Sequence, residues 1–210
     1  MVMLSGLLGF MLLGGIAFMP DVEPPITEEE EFEPDAPELE ESAQPTDGPD
    51  LLWGRFLDDM IDGRGGDDQI NGYEGDDTLI GGQGSDALAG GHGADALHGD
   101  DGNDILSGGT GHDTLMGGAG DDVLIDTDLE RDYLNGGEGD DSIHSYGADV
   151  MTGGDGADTI VYTDVGDEPI EITDFDPTVD TMAIQFHEND VRDISVHSVS
   201  EDIYEIRLGD

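Results

Sequence analysis

The chain has 210 residues, of which 53 are acidic and 5 basic, giving a net charge of -48. Such a chain repels phosphates, which excludes nucleic acid as a partner, and its self-repulsion opposes any compact state that is not neutralised. Cysteine is absent, so disulfides and thiolate metal sites are excluded, and 34 glycines with 6% aromatic residues leave little for a conventional packed core.

Residues 1–19, MVMLSGLLGFMLLGGIAFM, carry no charged side chain and stop at Pro20. A helix of this length nearly spans a hydrocarbon core of about 30 Å, so the segment is expected to be an apolar helix: a membrane anchor tethering the chain, with a signal-like segment or a buried or oligomerising one as the alternatives. It lacks the basic start of a signal peptide. Residues 20–50 hold 7 of the 9 prolines and 13 acidic residues without one base. Low hydrophobicity and like-charge repulsion predict a disordered acidic linker.

From Gly54 to Val161 the sequence repeats every nine residues. Units begin at 54, 63, 72, 81, 90, 99, 108, 117, 126, 136, 145 and 153. The unit at 126 has one residue too many and the unit at 145 one too few, so the register is restored. Neither a helix nor a strand repeats at nine. The sixth position is Asp, and the eighth is apolar, as in Ile70, Leu79, Leu88, Leu97, Leu106 and Leu115. One inward side chain per unit predicts a three-residue strand followed by a six-residue, glycine-bent turn. Two units then close one flattened turn of a parallel β-solenoid whose coils stack about 4.8 Å apart.

Stacking places each sixth-position Asp over the Asp of the unit 18 residues on. Two carboxylates about 4.8 Å apart repel by about 1 kcal/mol in water, and by about 3–4 kcal/mol at an effective dielectric near 20. A divalent cation between loops reverses that sign. Carboxylates and backbone carbonyls are hard oxygen donors that suit Ca²⁺, whereas Mg²⁺ demands tighter octahedral geometry.

The segments GGQGSDALA, GGHGADALH and GGTGHDTLM resemble the glycine-aspartate nonapeptide of the RTX (repeats-in-toxin) family, G-G-x-G-x-D-x-U-x. The resemblance implies an all-β fold, a right-handed parallel β-roll that binds Ca²⁺ between turns and folds after export. Alternate units lie on opposite edges. On the first edge stand Asp68, Asp86, Asp104, Asp122, Asp141 and Asp158, with fourth-position Gly66, Gly84, Gly102, Gly120, Gly139 and Gly156. The second edge carries Asp59, Asp77, Asp95, Asp113, Asp132 and Asp149, with Gly75, Gly93 and Gly111 at the fourth position of its regular units. There Leu57 replaces a glycine, the unit at 126 has none, and the unit at 145 is short. Roughly seven ions are therefore expected, about five in a continuous row on the first edge and about two on the second, between the units at 72, 90 and 108. Arg64, Tyr73 and Asp100 replace the second glycine of their units and should strain the turn without abolishing sites.

His92, His98, His112 and His144 occupy variable positions of the repeat, and no catalytic spacing accompanies them or His187 and His197, so a non-catalytic chain is expected. The segments EPIEITDF, DTMAIQF, DISVHSV and DIYEIRL in residues 162–210 predict short strands forming a terminal β cap over the roll of residues 51–161. The run IEITDFDPTVDTMAIQF resembles the segment that follows the repeats in serralysin-like RTX proteins, which implies a type I secretion signal and its machinery as partner. The expectation is thus a secreted, extracellular calcium-binding roll. The alternatives are an accessory or targeting module of an extracellular enzyme, or a surface adhesin or matrix component with a protein or glycan partner.

Overall fold

The structure is a computed structural model that describes residues 44–163, 170–185, 194–200 and 203–208. The apolar segment 1–19 and the linker up to residue 43 lie outside the described residues. Two sheets face each other. The first contains β1 (Leu51–Trp53), β3 (Gln69–Glu74), β5 (Ala87–His92), β7 (Ile105–Thr110), β9 (Val123–Ile125), β11 (Ser142–Tyr146), β13 (Thr159–Thr163) and β15 (Thr181–Gln185) in that spatial order. The second runs from β2 (Met60–Asp62) through β4 (Thr78–Gln83), β6 (Ala96–Asp101), β8 (Thr114–Ala119), β10 (Tyr133–Glu138) and β12 (Val150–Asp155) to β14 (Ile170–Thr173). Successive strands therefore alternate between sheets, and each pairs in parallel with the strand one full coil away. This is the expected parallel β-solenoid.

The register follows the clock. Leu88 sits beside Ile70 and Leu106 in the first sheet, and Leu97 beside Leu79 and Leu115 in the second. These rows of single apolar residues meet between the sheets and form the core, with Leu79, Leu97, Leu106 and Leu115 wholly buried. The irregular units do not break it. Leu134 pairs with Leu115 across a 19-residue step and with Met151 across a 17-residue step.

The strands are longer than the three residues expected. Most run to six, covering the last three residues of one unit and the first three of the next, which leaves a short turn instead of a six-residue one. Their burial alternates, so in one stretch Asp86, Leu88 and Gly90 all face inward. Three residues per unit thus line the interior where the sequence pattern led us to expect one. The inward first glycine has no side chain to register as apolar, which hides the period-2 alternation.

At the carboxyl end the glycine slot is filled by Tyr162, buried at 1% exposure beside Ser145 of the previous coil. Beyond it, β16 (Ile194–Ser200) and β17 (Ile203–Leu208) form an antiparallel hairpin, and β17 pairs antiparallel with β14. The parallel stack thus runs past residue 161, through β14 and β15, and in the second sheet it ends where β14 pairs with β17.

Candidate metal centre

Each turn joins an inward first glycine at the end of one strand to an inward Asp at the start of the next. These two positions face each other, and the carboxylate fills the space that a side chain on the glycine would need. A Cβ on Gly72 would collide with Oδ2 of Asp77 and lie 2.7 Å from the carbonyl oxygen of Gly90. The same holds for Gly63 with Asp68, Gly99 with Asp104, and Gly117 with Asp122. The fourth glycine has a different reason to be glycine. Gly84 has a φ of +129° and stacks directly on the backbone of Gly66. Gly66, Gly75, Gly93, Gly102, Gly111, Gly120, Gly139 and Gly156 share the positive φ.

The carboxylates form two ladders. On the first edge the backbone N–H of Asp68 donates to Oδ1 of Asp86 at 2.7 Å, Asp86 donates to Asp104 at 2.7 Å, and Asp104 to Asp122 at 2.8 Å. The ladder continues through Asp141 and Asp158 and extends at either end to Asp50 and Asp180. On the second edge it runs from Asp59 through Asp77, Asp95 and Asp113 to Asp132 and Asp149, unbroken by the irregular units. Those units, which the pattern marked as damaged, keep the backbone contact because the ladder depends on strand register and not on turn length.

In ten of these carboxylates one oxygen is thereby satisfied and the other is not, whereas Oδ2 of Asp149 accepts from the Ser145 hydroxyl and Oδ2 of Asp59 from the Arg55 N–H. Oδ2 of Asp68, Asp77, Asp86, Asp95, Asp104, Asp113, Asp122, Asp132, Asp141 and Asp158 is buried without a hydrogen-bond partner. A buried anion with an unmet acceptor is costly unless a cation or proton joins it. Burial drives the carboxyl of Asp86 up to about 6 against one stabilising N–H from Asp68, with Asp104 and Asp68 pushing it further. Asp95 and Asp141 also rise to about 6 and Asp122 to about 7, burial again leading. Asp68, Asp77, Asp104, Asp113 and Asp158 are raised for the same first cause. Rows of oxygen donors, most with one open oxygen and with backbone carbonyls alongside, fit a hard divalent cation.

Three stretches, residues 53–88, 89–124 and 126–160, match the RTX calcium-binding nonapeptide repeat (4 copies) and together cover just over half the chain. The chain belongs to the RTX calcium-binding repeat family. No curated protein matches it. The RTX repeats account for the rows described above, and the match stops at residue 160, before the cap.

The residues that replace the second glycine keep a left-handed backbone at lower φ, +74° for Arg64, +75° for Tyr73 and +72° for Asp100. Side chains support two of them: the N–H groups of Arg64 and Tyr73 donate to Asp62 and Asn71. His92, His112 and His144 keep to the outside of the RTX rows. His92 contacts the Thr110 hydroxyl at 2.7 Å, His112 the Arg131 carbonyl at 3.1 Å, and His144 the Ser142 hydroxyl at 3.2 Å. Asp50, Asp126 and Asp180 were not read from the sequence as members of the Asp rows. Asp50 and Asp180 precede or follow the regular clock, whereas Asp126 stands where a first glycine belongs and reads as a defect. Among the described residues, no helix is long and apolar enough to cross a membrane.

Proposed function

We propose that the roll is a calcium-driven folding module that works outside the cell and has no catalytic role. The observation that supports this reading is the double row of buried Oδ2 atoms without partners. Bound calcium would supply the positive charge that stacked carboxylates lack. On the first edge Asp68, Asp86, Asp104, Asp122, Asp141 and Asp158 would hold it together with carbonyls of the turns at Gly66, Gly84, Gly102, Gly120 and Gly139. On the second edge the ligands are Asp77, Asp95 and Asp113, with the turns at Gly75, Gly93 and Gly111. About seven ions satisfy these rows.

Inside a cell, where calcium is scarce, the acidic chain stays expanded and fit for export. Outside, at millimolar calcium, the rows are neutralised and the coils stack. Affinities of about 10⁻⁴–10⁻³ M match an extracellular module, and the shared Asp between adjacent turns makes binding cooperative. Export through a type I system, and tethering to a membrane by residues 1–19, complete the reading. The deciding experiment is far-UV circular dichroism of the full chain during a calcium titration, with magnesium as control. A cooperative coil-to-β transition with calcium alone supports the reading. Full β structure in chelator, or disorder at saturating calcium, refutes it.

A further inference from the structure

The unit at 126 departs from the repeat in a way that builds something. The N–H of Asp126 donates to the carbonyl of His144 at 2.8 Å, the same bond that Gly63 makes with Ile80 at 2.8 Å, so Asp126 occupies the slot of an inward first glycine. Its side chain therefore enters the interior, into the space that a glycine leaves for the carboxylate across the turn. The extra residue in this unit lengthens the turn and lets Asp132 take its place in the ladder. Asp113 arrives from the coil below.

The ligand oxygens of Asp113, Asp126 and Asp132 lie within 4.8 Å of one another, and all three residues are buried. Asp126 is wholly inaccessible to solvent, and neither of its oxygens has a hydrogen-bond partner. Oδ2 of Asp113 and Oδ2 of Asp132 are likewise unpartnered. The next coil resolves the same position differently. There Ser145 fills the glycine slot, and its hydroxyl donates to Oδ2 of Asp149. A hydroxyl meets the acceptor in one coil, and no protein group does in the other.

We infer that Asp113, Asp126 and Asp132 form a dedicated calcium site, distinct from the nonapeptide sites in taking three carboxylates where those take fewer and add backbone carbonyls. It rests on the calcium reading of the roll. More carboxylate ligands on a rigid scaffold raise calcium affinity. The site therefore loads before the others and fixes the irregular coil.

The test is calcium counting by flow dialysis on the full chain and its Asp126→Asn and Asp126→Gly variants, with magnesium as control. The full chain should show one ion bound at least ~10-fold more tightly than the rest. Asp126→Asn, isosteric but uncharged, should lose that ion alone and keep the cooperative transition of the remaining ones. An Asp126→Asn chain that retains both the count and the tight class overturns the inference. Asp126→Gly restores the residue of a regular unit and should give the same loss, which separates charge from any misfit of the amide. If Asp126→Asn fails to fold at saturating calcium, the amide misfits and the count on Asp126→Gly decides: loss of the tight ion supports the site and its retention overturns it. A wild-type chain that binds no calcium refutes the reading of the roll itself, a result separable from failure of this one site.

Discussion

If calcium binds as proposed, proton and calcium compete for the same buried carboxylates, and the pH response of the chain should change sign with calcium. Without the metal, a carboxyl raised from 3.8 to about 6, as in Asp86, Asp95 and Asp141, weakens the fold by ~3 kcal/mol at neutral pH, and Asp122 at about 7 by ~4 kcal/mol. Even halved for mutual coupling and partial solvation, these four together are worth on the order of 7 kcal/mol, comparable to the entire stability of a domain, about 5–15 kcal/mol. The folded form binds more protons than the unfolded chain between about pH 4 and pH 7, so metal-free stability is greatest below about pH 4 and is lost as pH rises through 6–7. With calcium the slope reverses, because ligands must be deprotonated and acidification displaces the ion.

The assay is circular dichroism of the full chain from about pH 4 to pH 8, after calcium removal on a chelating resin and again in millimolar calcium. A soluble chelator is unsuitable because it loses its own affinity for calcium on acidification. Metal-free protein should gain β structure as pH falls, while calcium-loaded protein should hold it at neutral pH and lose ions on acidification. Acid also lowers the general charge, so Asp122→Asn supplies the control. It should fold more readily than wild type without calcium and need more calcium at neutral pH. A metal-free chain as folded at about pH 8 as at pH 5, or an Asp122→Asn chain that shifts in the same direction under both conditions, refutes the reasoning.

Glycine replacements should separate by position. Gly90→Ala meets Oδ2 of Asp95 and the Gly108 carbonyl and should raise the calcium midpoint strongly or abolish folding, whereas Gly65→Ala, with its nearest neighbours 3.6 and 3.7 Å away, should leave the titration nearly unchanged. Leu97→Ala empties a wholly buried position and should cost ~2–5 kcal/mol, read as a lower denaturant midpoint in saturating calcium. Asp104→Asn removes a first-edge carboxylate with an open Oδ2 and should raise the calcium midpoint by ~10-fold. Asp149→Asn, whose Oδ2 already takes the Ser145 hydroxyl, should shift it by under ~2-fold.

Much of this architecture was readable from the chain because each repeat position has one physical duty. The pairing of Leu88 with Ile70 and Leu106, the separation of Asp86 from Asp95 onto opposite edges, and the positive φ at Gly84 all follow from counting nines. The inward direction of the Asp rows was harder to see. Nine is odd, and the alternation that runs through Asp86, Leu88 and Gly90 crosses a unit boundary at a residue without a side chain. The strands after residue 161 were legible in their alternating composition, but not that β14 and β15 continue the parallel stack, nor that β17 returns antiparallel onto β14, a long-range pairing that no local pattern encodes. Asp126 was obscured by the same rule that revealed the rest, since a non-glycine at a glycine position counts as damage until its surroundings are known.

The two edges of the roll obey different tolerances, and the reason lies in what each turn must match. All six first-edge turns place five steps between first glycine and Asp, from Gly63 to Asp68 through Gly153 to Asp158. The insertion after Asp126 and the deletion after Ser145 both fall in second-edge turns, and strand pairing on either side passes over them as a 19-residue and then a 17-residue step. Register in a solenoid is set coil against coil, so a turn of the wrong length does not propagate as it would through a helix. It alters only the groups at that turn. In these two coils the altered groups are a serine that satisfies one carboxylate and an aspartate that adds another, so only the shorter turn brings its own donor to a buried Oδ2. The first edge, with no such substitutes, keeps the repeated turn throughout.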